Sequence, residues 1–186
     1  MLKQELRLRY QEKRKKTSSE DVTEASLKIS NKLLELPIWE FEYYHIFLHS
    51  EAKKEVDTSF IITLLQGKDK EIVVPKMDNY GGLQHFLLTD STILKPNKWT
   101  IPEPVDGLEV PLNKIDVVFV PLLTFDTSGY RVGYGKGYYD SFLEHCKSGT
   151  LKIGVSIFEP VEQISNREPH DVRMDYCVTP SAIYSF

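Results

Sequence analysis

The chain has 186 residues, 41% of them hydrophobic and 27% charged, which suits one compact domain with a sizeable core; dividing it in two leaves each half small. Its net charge of −4 argues against a nonspecific nucleic-acid binder, since such proteins draw their affinity from excess Lys and Arg. No apolar run approaches membrane-spanning length, and the charged N-terminus lacks the apolar core of a secretion signal, so neither a membrane nor a nucleic-acid partner is expected.

Residues 2–16 predict a cationic helix with Leu2, Leu6 and Tyr10 along one face. Lys3, Arg7, Arg9, Lys13, Arg14, Lys15 and Lys16 stand against Glu5 and Glu12, a local balance of +5. Such runs are usually solvated, yet Lys3 and Arg7 are four apart and project from the same face, where both can reach one ligand. Thr17-Ser18-Ser19-Glu20 reads as a capping box opening a second helix. Val22, Ala25, Ile29, Leu33 and Leu36 then recur at steps of three and four over roughly five turns, until Pro37 stops the pattern.

Tyr43-Tyr44-His45-Ile46-Phe47-Leu48 reads as a strand, followed by a polar loop to Glu55. A helix opened by Asp57-Thr58 carries Ile61, Ile62, Leu64 and Leu65, and Glu71-Ile72-Val73-Val74-Pro75 is the next strand. This alternation signals βαβ units: an α/β fold in a single domain over residues 1–186, with a mostly parallel sheet and helices on both faces. After Pro75, Gly81-Gly82 breaks the chain, Gln84–Leu88 reads as a strand, and Pro96, Pro102, Pro104 and Pro111 punctuate an irregular stretch of the length that usually carries function. Ile115–Pro121 is an apolar, β-branched block suited to a strand buried on both faces. A helix is expected from Tyr138 to Lys147, then strands at Lys152–Phe158 and Tyr176–Thr179. Cys146 and Cys177 lack the spacing of a zinc or redox pair, so both are expected to be reduced core thiols of a cytoplasmic protein.

Between Pro121 and that last helix lies Gly129-Tyr130-Arg131-Val132-Gly133-Tyr134-Gly135-Lys136-Gly137-Tyr138-Tyr139-Asp140. Glycines let several backbone N–H groups approach one anion, Arg131 and Lys136 bring charge, and a following helix adds its partial positive end. Residue types alone also allow a tight turn with exposed cations. A Walker A loop is excluded because Tyr134 stands where its second glycine belongs, and the spacing Gly-x-Gly-x-Gly is not the dinucleotide pattern. His45 and His49 are four apart but fall on a predicted strand, so structural or surface roles are expected. No Gly-x-Ser-x-Gly elbow or Cys–His signature supports a nucleophilic hydrolase. Phosphate chemistry remains, with Asp140 placed to hold Mg²⁺ against it.

The whole run closely resembles the signature of the 5-formyltetrahydrofolate cyclo-ligase (5,10-methenyltetrahydrofolate synthetase) family. The likeness extends to the N-terminal Lys-x-x-x-Arg, the acidic loop after the first strand, a Val-Pro strand end, Trp-x-Ile-x-Glu-Pro, and the late acidic run Glu168–Asp175. It implies a Rossmann-like fold and an enzyme that uses ATP and Mg²⁺ to close 5-formyltetrahydrofolate into 5,10-methenyltetrahydrofolate. By that resemblance Lys3, Arg7 and the segment Arg131, Val132, Gly133, Tyr134, Gly135, Lys136, Gly137, Tyr138 and Tyr139 hold ATP, and Arg131, Lys136 and Tyr138 are catalytic. Leu48, Glu55, Met77, Trp99 and Tyr134 through Tyr138 border the folate. Asp140 and Asp171 hold the metal, with Asp175 the rival to Asp171 and Glu51 the rival to Glu55. Tyr134 occupies a place that in some relatives holds Arg or another bulky residue. Two other readings stand beside this one: a noncatalytic nucleotide- or RNA-binding module using the basic helix and the tyrosines, and a kinase or ATPase acting on another small molecule.

Overall fold

The structure, a computed structural model, describes residues 1–186. In chain order, α1 (Lys3–Lys16) and α2 (Ser19–Leu33) precede β1 (Tyr43–Ile46), and α3 (Ser59–Gly67) crosses to β2 (Glu71–Met77), which turns back as β3 (Leu83–Leu87). The short strands β4 (Leu94–Pro96) and β5 (Pro102–Pro104) form a separate ribbon before β6 (Val117–Pro121). A second ribbon, β7 (Thr124–Phe125) with β8 (Arg131–Val132), leads to α4 (Tyr138–Glu144), then β9 (Leu151–Val155), β10 (Tyr176–Val178) and β11 (Ile183–Ser185).

The main sheet has seven strands in the order β11-β10-β9-β6-β1-β2-β3, parallel from β10 to β2 and antiparallel at both edges. It is the mostly parallel α/β sheet expected. Tyr44 pairs with Ile72 on one side and Val117 on the other. From β1 the chain steps outward to β2, then returns to build β6, β9 and β10 on the opposite side. The order reverses between β1 and β6, and their carboxyl ends diverge there into a crevice.

Helices cover both faces. Ile29 and Leu33 of α2 and Ile61 and Leu65 of α3 pack on Tyr44, Ile46, Ile72, Val74, Val117 and Phe119. Phe142 and Leu143 of α4 close the other face over Val73, Val118, Val120 and Cys177. Burial on both faces is why the central strands read as continuous apolar runs. A third cluster joins Leu6 and Tyr10 of α1 to Leu123, Val132 and Ile164, seating that helix beside the ribbon of β7 and β8.

Several boundaries differ from expectation for local reasons. The Thr17 hydroxyl closes α1 by donating to the Lys13 carbonyl, so the cap of α2 falls to Ser18, whose hydroxyl accepts from the Asp21 amide at 3.0 Å. Thr58 turns its hydroxyl back to the Phe47 carbonyl, and Asp57 accepts the Ser59 amide. Sheet pairing of β1 stops at Ile46, leaving Phe47 and Leu48 beyond it. The strand expected at Lys152–Phe158 runs instead from Leu151 to Val155, and α4 ends at Glu144, with Lys147 instead pairing with Asp116 at 2.6 Å. The edge strand β11 and both ribbons escaped sequence reasoning, being two or three residues long. Both thiols are free, and burial pushes Cys146 up to about 11 and Cys177 higher still.

Asp126, fully buried, ties two distant segments together. One carboxylate oxygen accepts from the amides of Ser128 and Tyr130, closing the turn between β7 and β8. The other accepts from the Ile164 amide at 3.0 Å and the Arg167 guanidinium at 2.7 Å. Asp126→Ala leaves three amides and a cation without their acceptor, and the loss is expected to be about 3 kcal/mol. Urea unfolding measures it; a change below about 1 kcal/mol would mean that the turn holds itself.

His45 on β1 and His85 on β3 lie buried with ring centroids 5.1 Å apart, packed against Phe142 at 4.7 and 4.3 Å. Burial holds His45 well below its ordinary 6.5 and His85 down at about 4. The unfolded chain therefore takes up protons below 6.5 that the native state refuses. Stability is full above that pH and declines as pH falls towards 4. In His45→Phe, the drop in denaturant midpoint between about pH 7 and pH 5 should be smaller than in the parent; an unchanged drop refutes the assignment.

Candidate active site

A cavity of about 320 Å³ opens at the switch point, lined by Phe47 and Leu48 beyond β1, Pro75 and Met77 of β2, and Pro121 at the end of β6. Ligands bind there in open α/β sheets because the strands diverge and loops of opposite crossovers part. Trp99, Ile101, Pro102 and Glu103, from the turn between β4 and β5 and from β5 itself, form one wall. The opposite wall is built from Lys3 and Arg7 of α1, the glycine loop, and the segment Glu168–Asp171.

The glycine loop takes its path from two left-handed residues. Gly137, at φ +74, caps the start of α4, and Gly135 turns at φ +88, backbone states that a Cβ disfavours. Space makes a second demand at Gly135: a Cβ there would sit 3.2 Å from the Arg7 guanidinium. Arg7 reaches this position by donating from Nε to the Gly133 carbonyl at 3.0 Å. Lys136, between these glycines, is exposed at the rim.

Charge is sorted in opposed pairs. Arg131, 8% exposed, donates to Asp140 at 2.8 Å and to the Val172 carbonyl at 3.1 Å. Burial lowers the Arg131 pKa, while Asp140 and Asp171 oppose that effect. Lys3, equally buried, donates to both oxygens of Asp171 at 2.5 and 2.6 Å, and its backbone amide binds the Asn166 side chain. Burial acts to raise the Asp171 pKa, but hydrogen bonds from Lys3 and the Glu168 amide outweigh it and hold the carboxyl below its usual range. Glu168, His170 and Asp171 bring possible ligand atoms within 4.8 Å of one another.

On the other side, Glu55 is buried at the end of the loop after β1, and its carboxylate accepts the Ser50 amide at 2.7 Å. Its hold depends on Lys54, which at φ 50 turns the chain after the short 3-10 turn Glu51–Lys53. Tyr134 and Tyr139 stand near Glu55, and burial first, then the Glu55 charge, pushes both phenols above their ordinary pKa. They remain neutral, able to donate. The Tyr139 hydroxyl is buried without a hydrogen-bond partner.

Of the residues singled out from sequence, Lys3, Arg7, Leu48, Glu55, Met77, Trp99, Arg131, Gly133 through Asp140, and Asp171 all line this one cavity. Val132 does not line it: its side chain is fully buried with Leu6 and Tyr10, where it anchors the loop from beneath. Asp175 lies elsewhere, accepting the Lys152 amide at 2.7 Å and pairing with its ammonium. Glu51 is exposed and faces an adjoining cavity under the β4–β5 ribbon. Sequence reasoning missed Lys53, Glu103, Glu168 and His170 on the wall. Glu103 had a legible signal in the Trp-x-Ile-x-Glu-Pro run, whereas Lys53 is placed only by the turn at Lys54.

The family model of the 5-formyltetrahydrofolate cyclo-ligase family matches residues 1–180. A probable 5-formyltetrahydrofolate cyclo-ligase of Schizosaccharomyces pombe is 29% identical over 175 residues, covering 85% of this chain and 85% of that protein. The 5-formyltetrahydrofolate cyclo-ligase of Mus musculus is 27% identical over 185 residues, covering 93% of this chain and 91% of its own. The solved structure of Aquifex aeolicus 5,10-methenyltetrahydrofolate synthetase superposes with a TM-score of 0.85 at 32% identity, covering 100% of this chain and 93% of that one. With the match running through every wall of the cavity, the chain belongs to the 5-formyltetrahydrofolate cyclo-ligase family.

Proposed function

We propose that this enzyme cyclises 5-formyltetrahydrofolate to 5,10-methenyltetrahydrofolate at the expense of ATP, with Mg²⁺, releasing ADP and phosphate. The observation that carries this reading is convergence: Lys3 and Arg7, the loop 131–140, and Asp171 meet on one side of a cavity whose other side holds Glu55, Leu48, Met77 and Trp99. One side suits phosphates and the other a flat, hydrogen-bonding ring.

A formamide oxygen leaves poorly until it carries phosphate; N10 then attacks the activated carbon, the C–O bond breaks and phosphate departs. Transfer of this kind needs positioning and charge neutralisation more than a covalent nucleophile. No serine, threonine or cysteine lines the cavity, which agrees. Arg131, already pointed and pinned by the Val172 carbonyl, and Lys136, exposed at the rim, neutralise the phosphoryl oxygens, and Lys3 and Arg7 hold the remaining phosphates from α1. Tyr138, at the first position of α4, donates its hydroxyl beside them. Glu55 accepts N–H donors of the pterin, with Leu48, Met77 and Trp99 against its faces.

Asp140 and Asp171 would supply the hard oxygen donors that Mg²⁺ prefers, and each already stands in a salt bridge, with Arg131 at 2.8 Å and Lys3 at 2.5 Å, so the residues fit the ion, which when bound would neutralise phosphate charge. A cytoplasmic setting is proposed on the two free thiols; no helix is long and apolar enough to cross a membrane. A nucleic-acid module is disfavoured because Lys3 and Arg14 of the basic helix are buried inward.

Purified protein mixed with 5-formyltetrahydrofolate and MgATP should develop the methenyl chromophore. Folded protein that stays silent, or that hydrolyses ATP equally without folate, refutes the reading in favour of another ATPase. Lys136→Ala, at an exposed position, should keep its unfolding midpoint and lose about 10²-fold in kcat/KM. Asp140→Asn should fold, because the amide oxygen still accepts from Arg131, but should require far more Mg²⁺ for half-maximal rate. An unshifted Mg²⁺ titration removes Asp140 from the metal.

A further inference from the structure

The stripe Lys3, Arg7, Tyr10 and Arg14 runs down one face of α1 at steps of four, three and four. The first two cations line the cavity. Arg14 does not, yet it is 4% exposed, more deeply buried than either. A buried guanidinium is costly unless its donors are satisfied, and here both partners are neutral oxygens. One terminal nitrogen donates to the Leu122 carbonyl just past β6 and the other to the Tyr134 hydroxyl, each at 2.6 Å. Nε is unpartnered, so these two contacts are the hydrogen bonds that the guanidinium makes.

Tyr134 is the one bulky side chain between Gly133 and Gly135, flanked by glycines that impose no rotamer of their own. Its ring lies under the Lys53 ammonium, 4.6 Å from the centroid, and its hydroxyl sits beside the Glu55 carboxylate. Arg14 and Glu55 thus both meet the Tyr134 hydroxyl, while the Arg7 guanidinium bonds the Gly133 carbonyl on one side of the residue and lies close against Gly135 on the other.

We propose that Arg14 is a positioning residue for the folate half of the site: by anchoring the Tyr134 hydroxyl to the Leu122 carbonyl it fixes the ring and the Glu55 carboxylate beside it. The same helix therefore holds both halves of the cavity, the nucleotide half through Lys3 and Arg7 and the folate half through Arg14. A planar guanidinium sends a separate nitrogen to each of the two oxygens, a fixed fork that the single ammonium of a lysine does not reproduce. This assignment rests on the cyclo-ligase reading above.

Steady-state kinetics on the parent, Arg14→Met, Arg14→Lys, Tyr134→Phe and the Arg14→Met/Tyr134→Phe double variant tests it. Losing one charge-assisted hydrogen bond should raise KM for 5-formyltetrahydrofolate about tenfold in Arg14→Met and in Tyr134→Phe, with KM for ATP within about twofold of the parent. Arg14→Lys should fall between, and the double variant should be no worse than the worse single one, since both break the same contact. Equal rises in both KM values, or losses that multiply in the double variant, overturn the assignment in favour of a merely structural arginine. Should Arg14→Met fail to fold, Tyr134→Phe decides alone, and an unchanged folate KM there overturns it. A parent that forms no methenyl product refutes the activity and this role together, whereas an active parent with unmoved variants refutes only the role.

Discussion

The site rests on giving each buried cation an oxygen partner. Lys3, Arg14 and Arg131 are each less than a tenth exposed, and removing a cation from water costs several kcal/mol after relaxation. The structure offsets this with oxygens already in place: Asp171 for Lys3, Asp140 and a carbonyl for Arg131, a carbonyl and a phenol for Arg14. Such partners make the cavity wall rigid before any ligand arrives. The same pairings fix where Asp140 and Asp171 stand, so the acidic and basic members of the wall define one another. Truncating either member leaves the other buried and unpaired, which is why conservative replacements are the informative ones here.

The sheet explains why residues from both ends of the chain meet. Reversal of strand order between β1 and β6 puts the loop after β1, with Glu55, next to the loop after β6, with its glycines. Asp126 then fastens the turn before the glycine loop to the segment at 164–167, which delivers Glu168 through Asp171. The amide of Lys3 binds Asn166 in that same segment. Three sequence-distant stretches are thus joined by side chains outside the cavity, and the lining residues inherit their positions from them.

Much of this was legible in the sequence because it is local. Strand alternation with α3 gave the parallel sheet, the glycine spacing gave the loop, and the four-residue step from Lys3 to Arg7 put both on one face. What was hidden depends on tertiary contact. The side chain of Val132 belongs to a motif of site residues yet points into the core, because β8 alternates and Arg131 takes the outward side. Arg14 looked like part of a solvated run of Lys and Arg, and the packing of Leu6 and Tyr10 on Leu123, Val132 and Ile164, with Phe158 5.4 Å from Tyr10 between ring centroids, turns that face inward. The choices of Asp171 over Asp175 and Glu55 over Glu51 as cavity residues needed the path of the chain, since each pair differs by only four positions.

Tyr134 is where these lines of argument cross. A smaller residue would suffice for a loop that only cradles phosphate with its backbone, since Gly133, Gly135 and Gly137 already supply the turns. A neutral phenol held between a buried cation and a buried carboxylate does something glycine cannot: it passes the fixed position of α1 across the loop to Glu55. Its burial keeps the proton on, so the hydroxyl accepts from Arg14 and still has a proton to give. In the function proposed, the glycines would supply the approach to one ligand, and the tyrosine between them would set the boundary with the other.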